Sequence, residues 1–206
     1  MKDLTYECMK CGTCCHEVPG DYVKRIPLYP DEADRLIEIA KKRGVEFKII
    51  EDLVFPDLKN EKILVVTYRI RLDNDKGGCP FYDDDVGCTV QEKKPYACQA
   101  YPLSLKREDA FNFQISIDPL CNFVIQRYED LSNVDSEDLM KIFPEEYPNA
   151  EKFYRKNTRL MLKIRKLEEE GKIKIARQIS LEDFNKALKN WDREELIVRD
   201  EESKNI

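Results

Sequence analysis

Cys8-Met9-Lys10-Cys11-Gly12-Thr13-Cys14-Cys15 carries four of the chain's eight cysteines. The other four, Cys79, Cys88, Cys98 and Cys121, are spread over the next hundred or so residues. Cys8, Cys11 and Cys14 are separated by two residues each. That spacing lets consecutive thiolates converge on one centre, as in bacterial ferredoxin runs whose fourth cysteine arrives from far away. Zinc sites use the same CxxC knuckle with a distant second pair, so the local pattern fits both. Cys15 is the odd element. If residues 14 and 15 are extended, their side chains point to opposite faces. They then serve two neighbouring sites, or one is a ligand and the other a nearby thiol.

The distal cysteines sit among residues that bend the backbone. Gly78-Cys79-Pro80-Phe81, Gly87-Cys88-Thr89 and the run from Pro95 through Cys98 to Tyr101-Pro102 each place turn residues beside a cysteine. Thiols from separate segments can converge across such bends. Tyr96 and Tyr101 flank Cys98 and are expected to shield a centre from water.

These residues together resemble the YkgJ-like cysteine-cluster proteins, described as carrying a zinc- or iron-chelating domain. That family's hallmark is CxxCxxCC, then Cys-Pro-Phe, a further Cys, Pro-x-x-Cys-x-x-(Tyr/Phe)-Pro and a last Cys. The match falls on Cys8, Cys11, Cys14, Cys15, Cys79-Pro80-Phe81, Cys88, Pro95, Cys98, Tyr101-Pro102 and Cys121, covering residues 5 to about 122. Lys94 and Gln99 stand where Arg is usual, and Gln91 where an aromatic is usual. The flagellin lysine methylases share a similar cluster, which there implies an iron–sulfur centre and S-adenosylmethionine chemistry. Methyl transfer comes to this chain only as analogy. The sequence has no Gly-x-Gly and no Walker loop, so the usual nucleotide-binding loops are missing. Its cysteine run also differs from the CxxxCxxC of radical S-adenosylmethionine enzymes.

The bulk composition narrows the setting. With 35 basic and 41 acidic residues the net charge is −6, opposite to the basic footprint of a nucleic-acid binder. No unbroken apolar stretch approaches a membrane span, and the N-terminus has no apolar leader core. The expectation is a cytoplasmic protein that engages neither nucleic acid nor membrane. Cysteines there serve metals or chemistry more often than disulfides. The Lys-, Glu- and Ile-rich composition leans toward a thermophile, where intracellular disulfides are the alternative.

Periodicity and caps predict the elements. Residues 31–43 read as a helix, with acids at its start, Lys41, Lys42 and Arg43 at its end and Gly44 as the stop. Residues 46–55 and 62–72 read as strands, the second with one face more apolar than the other. Residues 74–78 read as a turn, and 79–110 as loops and short helical turns. Residues 111–117 alternate as a strand paired with 102–106. A short helix begins at Ser136 and stops at Pro144. A long one covers 150–170 and ends at Gly171. Ser180-Leu-Glu-Asp183 caps a helix whose apolar face is Leu181, Phe184, Leu188 and Trp191. The last ten residues are expected to fray.

The sequence therefore points to an α+β fold. A cysteine-cluster metal-binding domain over residues 1–125 precedes a helical extension over 126–206. The cysteines of 8–15 meet those of 79–121, and the metal ties them together and contributes to folding. An iron–sulfur cluster, [4Fe–4S] in type, is favoured over zinc. Four thiolates would ligate it, and the rest would form a second site or stay free. Two tetrathiolate zinc sites would also use all eight. His16, the single histidine, is read as a loop residue, and Asp83-Asp84-Asp85 as a solvated turn. Three functions fit: a metal or cluster protein, an S-adenosylmethionine-dependent methyltransferase acting on a protein, and a structural zinc module presenting the helical half to a protein partner.

Overall fold

A computed structural model of the chain describes residues 4–16, 26–72, 77–107 and 113–198. The fold is α+β. In chain order the elements are β1 (Pro27–Leu28), α1 (Pro30–Arg43), β2 (Ile49–Asp57), β3 (Lys62–Ile70), β4 (Tyr82–Asp83), β5 (Gly87–Cys88), α2 (Tyr96–Ala100), β6 (Leu103–Arg107) and β7 (Phe113–Ile117). There follow α3 (Asn122–Gln126), α4 (Tyr128–Leu131), α5 (Ser136–Ile142), α6 (Glu146–Glu169), α7 (Leu181–Asn190) and β8 (Asp192–Glu195).

Helix α1 forms as its sequence dictates. Pro30 takes the first turn, where no N–H is missed. Gly44 closes the helix in the left-handed region at φ 65°. Leu36, Ala33 and Ala40 are buried along one face.

Strands β2 and β3 form an antiparallel pair, Ile49 opposite Ile70 and Asp57 opposite Lys62. The other edge of β3 is shared. β1 pairs antiparallel with its C-terminal end, and β8 pairs parallel with Lys62–Val65. The alternation in β3 predicts one apolar face, yet both faces are buried. Leu64 and Val66 pack with Leu160 and Ile164 of α6. Ile63 and Val65 pack with Ala187 and, partly buried, Leu188 and Trp191. The C-terminal helices supply a second cover, so this strand reads like the continuous apolar run of a central strand.

Two further expectations shift. Helix α6 starts at Glu146 rather than at residue 150, with Pro148 accommodated in its first turn. Leu181, expected on the apolar face of α7, is 75% exposed, and the face centres on Ala187 instead. Ser180 does cap α7, accepting the Asp183 N–H at 3.0 Å. The strand expected over 111–117 is present as β7, with Leu103 opposite Ile117. Residues 111 and 112, most of the turn expected over 74–78, and residues 199–206 lie outside the described residues.

Two hydrophobic clusters frame the cysteines. One holds Leu28, Leu36, Ile70, Phe81 and Val90. The other joins Tyr6 to Leu103, Val124, Ile142 and Phe143. The Tyr6 N–H donates to the Ile142 carbonyl at 2.7 Å, tying the N-terminal cysteine run to α5.

Candidate metal centre

The cysteine run is shaped by Gly12. Its φ of 74° is open to glycine, and an added Cβ would meet Tyr82 Cζ at 2.6 Å. The N–H groups of Cys15 and His16 both donate to the Gly12 carbonyl, at 2.7 and 3.1 Å. Residues 12–15 therefore turn instead of running extended. The Cys14 and Cys15 thiols consequently do not point to opposite faces. Their sulfurs lie 3.7 Å apart. His16 holds this turn, with Nδ1 at 2.9 Å from the Gly12 carbonyl and its ring edge-on to Tyr82.

The distal cysteines are brought in by short elements. The Cys79 N–H donates to the Cys15 carbonyl at 2.7 Å, joining the two halves of the cysteine set through the backbone. Cys79 accepts the Tyr82 N–H through its own carbonyl, and Tyr82 lies opposite Cys88 in the β4–β5 hairpin. Asp83 closes that hairpin by accepting the N–H groups of Asp85 and Val86, which makes the acidic run a solvated turn. Cys98 rides on α2, a helix of five residues. Cys79, Cys88 and Cys98 pack against the Phe81–Leu36 cluster. Cys121 precedes α3 and belongs to the Tyr6–Phe143 cluster.

Helix α2 owes its position to residues that carry no metal signature. Glu32 accepts the Tyr96 N–H at 2.7 Å and the Tyr29 N–H at 3.0 Å. Lys156, buried on α6, pairs with Asp31 at 3.0 Å and lies over the Tyr29 and Tyr96 rings. Sequence reasoning missed both. Glu32 reads there only as a favourable acid at a helix start, and Lys156 as one cation among many.

Crowding of the thiols is visible in their electrostatics. The bond from Cys14, then burial, then the charges of Cys14, Cys79 and Cys98 push the Cys15 thiol far above its ordinary range. Burial pushes Cys79 up to about 11, with help from Cys88 and Cys14 against a bond from the Phe81 N–H. Burial, then Cys79, Cys14 and Cys88, raise Cys98, opposed by Lys94. Burial also raises Cys121, assisted by Cys11 and Cys14 and opposed by the Val124 and Phe123 N–H groups. Thiolates gathered this closely repel one another, and a bound cation relieves that repulsion by replacing their protons.

All eight cysteines line one cavity of about 70 Å³. Its other walls are mainly apolar or aromatic, among them Ile26, Leu36, Phe81, Val90 and Phe123. The Tyr101 hydroxyl, on the same wall, is buried with no hydrogen-bond partner among the described residues. Burial, then the charges of Asp118, Cys121 and Cys14, keep it protonated. This donor set fits zinc or an iron–sulfur centre, the soft ions that thiolates select. Among the described residues no group of three or more His, Cys, Asp or Glu stands close enough together to hold a metal ion.

Residues 7–122 match the CxxCxxCC family, described as a "putative zinc- or iron-chelating domain". The chain belongs to the CxxCxxCC family. That match takes in every cysteine of the cavity. No curated protein and no solved structure matches the chain. No helix among the described residues is long and apolar enough to cross a membrane.

Proposed function

We propose that this CxxCxxCC protein holds an iron–sulfur centre, [4Fe–4S] in type, within its eight-cysteine cavity. The observation that carries the reading is the size and lining of that cavity. A volume of about 70 Å³ among eight thiols is several times the ~10–15 Å³ that one water requires. Room of this size among thiols suits a cluster that brings its own inorganic sulfides better than one bare ion. The apolar wall around Leu36, Phe81 and Val90 limits water on that side, and solvent exposure is one of the factors that set a cluster's potential. Such a cluster supplies one-electron chemistry when bound.

The methyltransferase reading gains less from this site. The cavity is well below the ~300 Å³ at which pockets for larger organic ligands begin, so S-adenosylmethionine would need room elsewhere. Anaerobic purification followed by iron, zinc and acid-labile sulfide analysis tests the proposal. Iron and sulfide in equal amounts, with broad visible absorption, are expected. A colourless protein with stoichiometric zinc and no sulfide would overturn the cluster and leave the structural zinc module in its place.

A further inference from the structure

We infer that the eight cysteines form two metal centres, one from Cys8, Cys11, Cys14 and Cys121 and the other from Cys15, Cys79, Cys88 and Cys98, adjoining at the Cys14–Cys15 peptide. The inference rests on the reading of this cavity as a metal site and asks how it is divided.

The division follows the two hydrophobic clusters. Cys79, Cys88 and Cys98 share the wall built on Phe81, Val90 and Leu36. Cys121 lies in the other cluster, beside Tyr6. Tyr6 is two residues before Cys8, and its ring packs on Phe123 at 5.0 Å, two residues after Cys121. Cys8 and Cys121 thus flank one aromatic contact. On the other side, the backbone bond from Cys79 N to Cys15 O sets Cys15 beside the distal trio.

Cys14 stands at the junction of the groups, its sulfur 3.7 Å from that of Cys15. Ligand count decides its place. Thiolate centres of zinc and of iron–sulfur type take four protein ligands. The distal trio with Cys15 already supplies four, whereas Cys8, Cys11 and Cys121 need one more. With Cys14 the first group becomes a CxxCxxC run with one remote cysteine, the ferredoxin arrangement.

The two centres differ in access. Cys8 and Cys11 are exposed, and no cysteine of the second group is. The first centre faces solvent and is the exchangeable one. The second is held inside the fold.

Cobalt(II) titration of the reduced full-length chain, read by its thiolate charge-transfer and tetrahedral ligand-field bands, tests this. Two equivalents are expected in the wild type, one in Cys121→Ser, one in Cys98→Ser and none in the double variant. A chelator should strip the equivalent that Cys121→Ser lacks before the other. One all-thiolate equivalent in the wild type, lost in either single variant, would overturn the division while leaving the metal site standing. No cobalt binding at all would overturn both. Should a variant fail to fold, cadmium-113 spectra of the wild-type chain carry the test. Two resonances in the tetrathiolate range support two centres, and a single one overturns them.

Discussion

The Glu32 carboxylate accepts the Tyr96 N–H at 2.7 Å, joining the start of α1 to the helix that bears Cys98. Its other oxygen accepts the Tyr29 N–H. One side chain thus satisfies an N-terminal N–H in each of two helices, groups with no partner inside their own helix. Since Cys98 sits two residues after Tyr96, the metal cavity inherits its geometry from this carboxylate.

Glu32→Gln keeps one acceptor and turns an amide NH2 toward the remaining N–H. The expected cost is about 1–3 kcal/mol, that of a buried donor left unsatisfied. Burial raises the Glu32 carboxyl above its ordinary 4.5, outweighing both N–H bonds and Lys156. A raised acid contributes fully below its unfolded value and loses that contribution as pH rises through the folded one. The stability gap between wild type and Glu32→Gln should therefore narrow from pH 4 upward in denaturant titrations. A gap that widens with pH would contradict it.

Asp57 shows the opposite sign. It accepts the Lys174 N–H at 2.8 Å and the Lys59 N–H at 3.0 Å, pinning the β2–β3 turn to the segment after α6. Burial works to raise its carboxyl, but the N–H groups of Lys174, Asn60 and Lys59 win and hold it below the ordinary 3.8. Its contribution is present above pH 3.8 and is lost as pH falls. Asp57→Ala should cost about 2–3 kcal/mol at neutral pH, the scale of bonds to a charged group. That cost should shrink in acid. A penalty independent of pH from 7 down to 3 would count against this assignment.

Gly12→Ala tests the turn that joins the two vicinal thiols. A left-handed φ costs a non-glycine residue about 1–2 kcal/mol, and here the new Cβ also meets Tyr82. Gly44→Ala is the matched comparison, with φ 65° and nothing within 4 Å. Metal content per chain should drop in Gly12→Ala and hold in Gly44→Ala. Equal retention in the two would mean that the turn does not set the site.

Metal removal should destabilise the chain, because at a site not preformed in the unfolded chain binding free energy adds to folding free energy. A ligand at one hundred times its dissociation constant adds about 2.7 kcal/mol. For a chain of this size that corresponds to roughly 5–10 °C in melting temperature. Calorimetry of metal-loaded and chelator-treated protein, both kept reduced, measures it. An unchanged melting temperature would separate the site from the fold.

Much of this structure is legible in sequence because the signals are local. Gly44 stops α1, Ser180 caps α7, and the alternation of Phe113–Ile117 yields a strand. Strand β8 gives no such signal. Its Asp-Arg-Glu-Glu is exposed throughout and is held by backbone pairing to β3 and by bonds such as Arg193 to Glu51. The burial of both faces of β3 depends on helices more than ninety residues downstream. The eight cysteines declare themselves by spacing and neighbours. Their distribution between clusters does not, since it is fixed by Tyr6 meeting Phe123 and by Cys79 bonding to Cys15, contacts with no periodic trace. The meeting of Cys14 and Cys15 turns on the φ of Gly12, a backbone property.

The central claim is that these thiols are metal ligands, and X-ray absorption at the metal edge of the anaerobically purified chain tests it most directly. The account predicts a first shell made only of sulfur, at about 2.3 Å, with an iron–iron scattering path beyond it. A shell dominated by nitrogen and oxygen, or protein that carries no metal while its cysteines stay reduced, would contradict it.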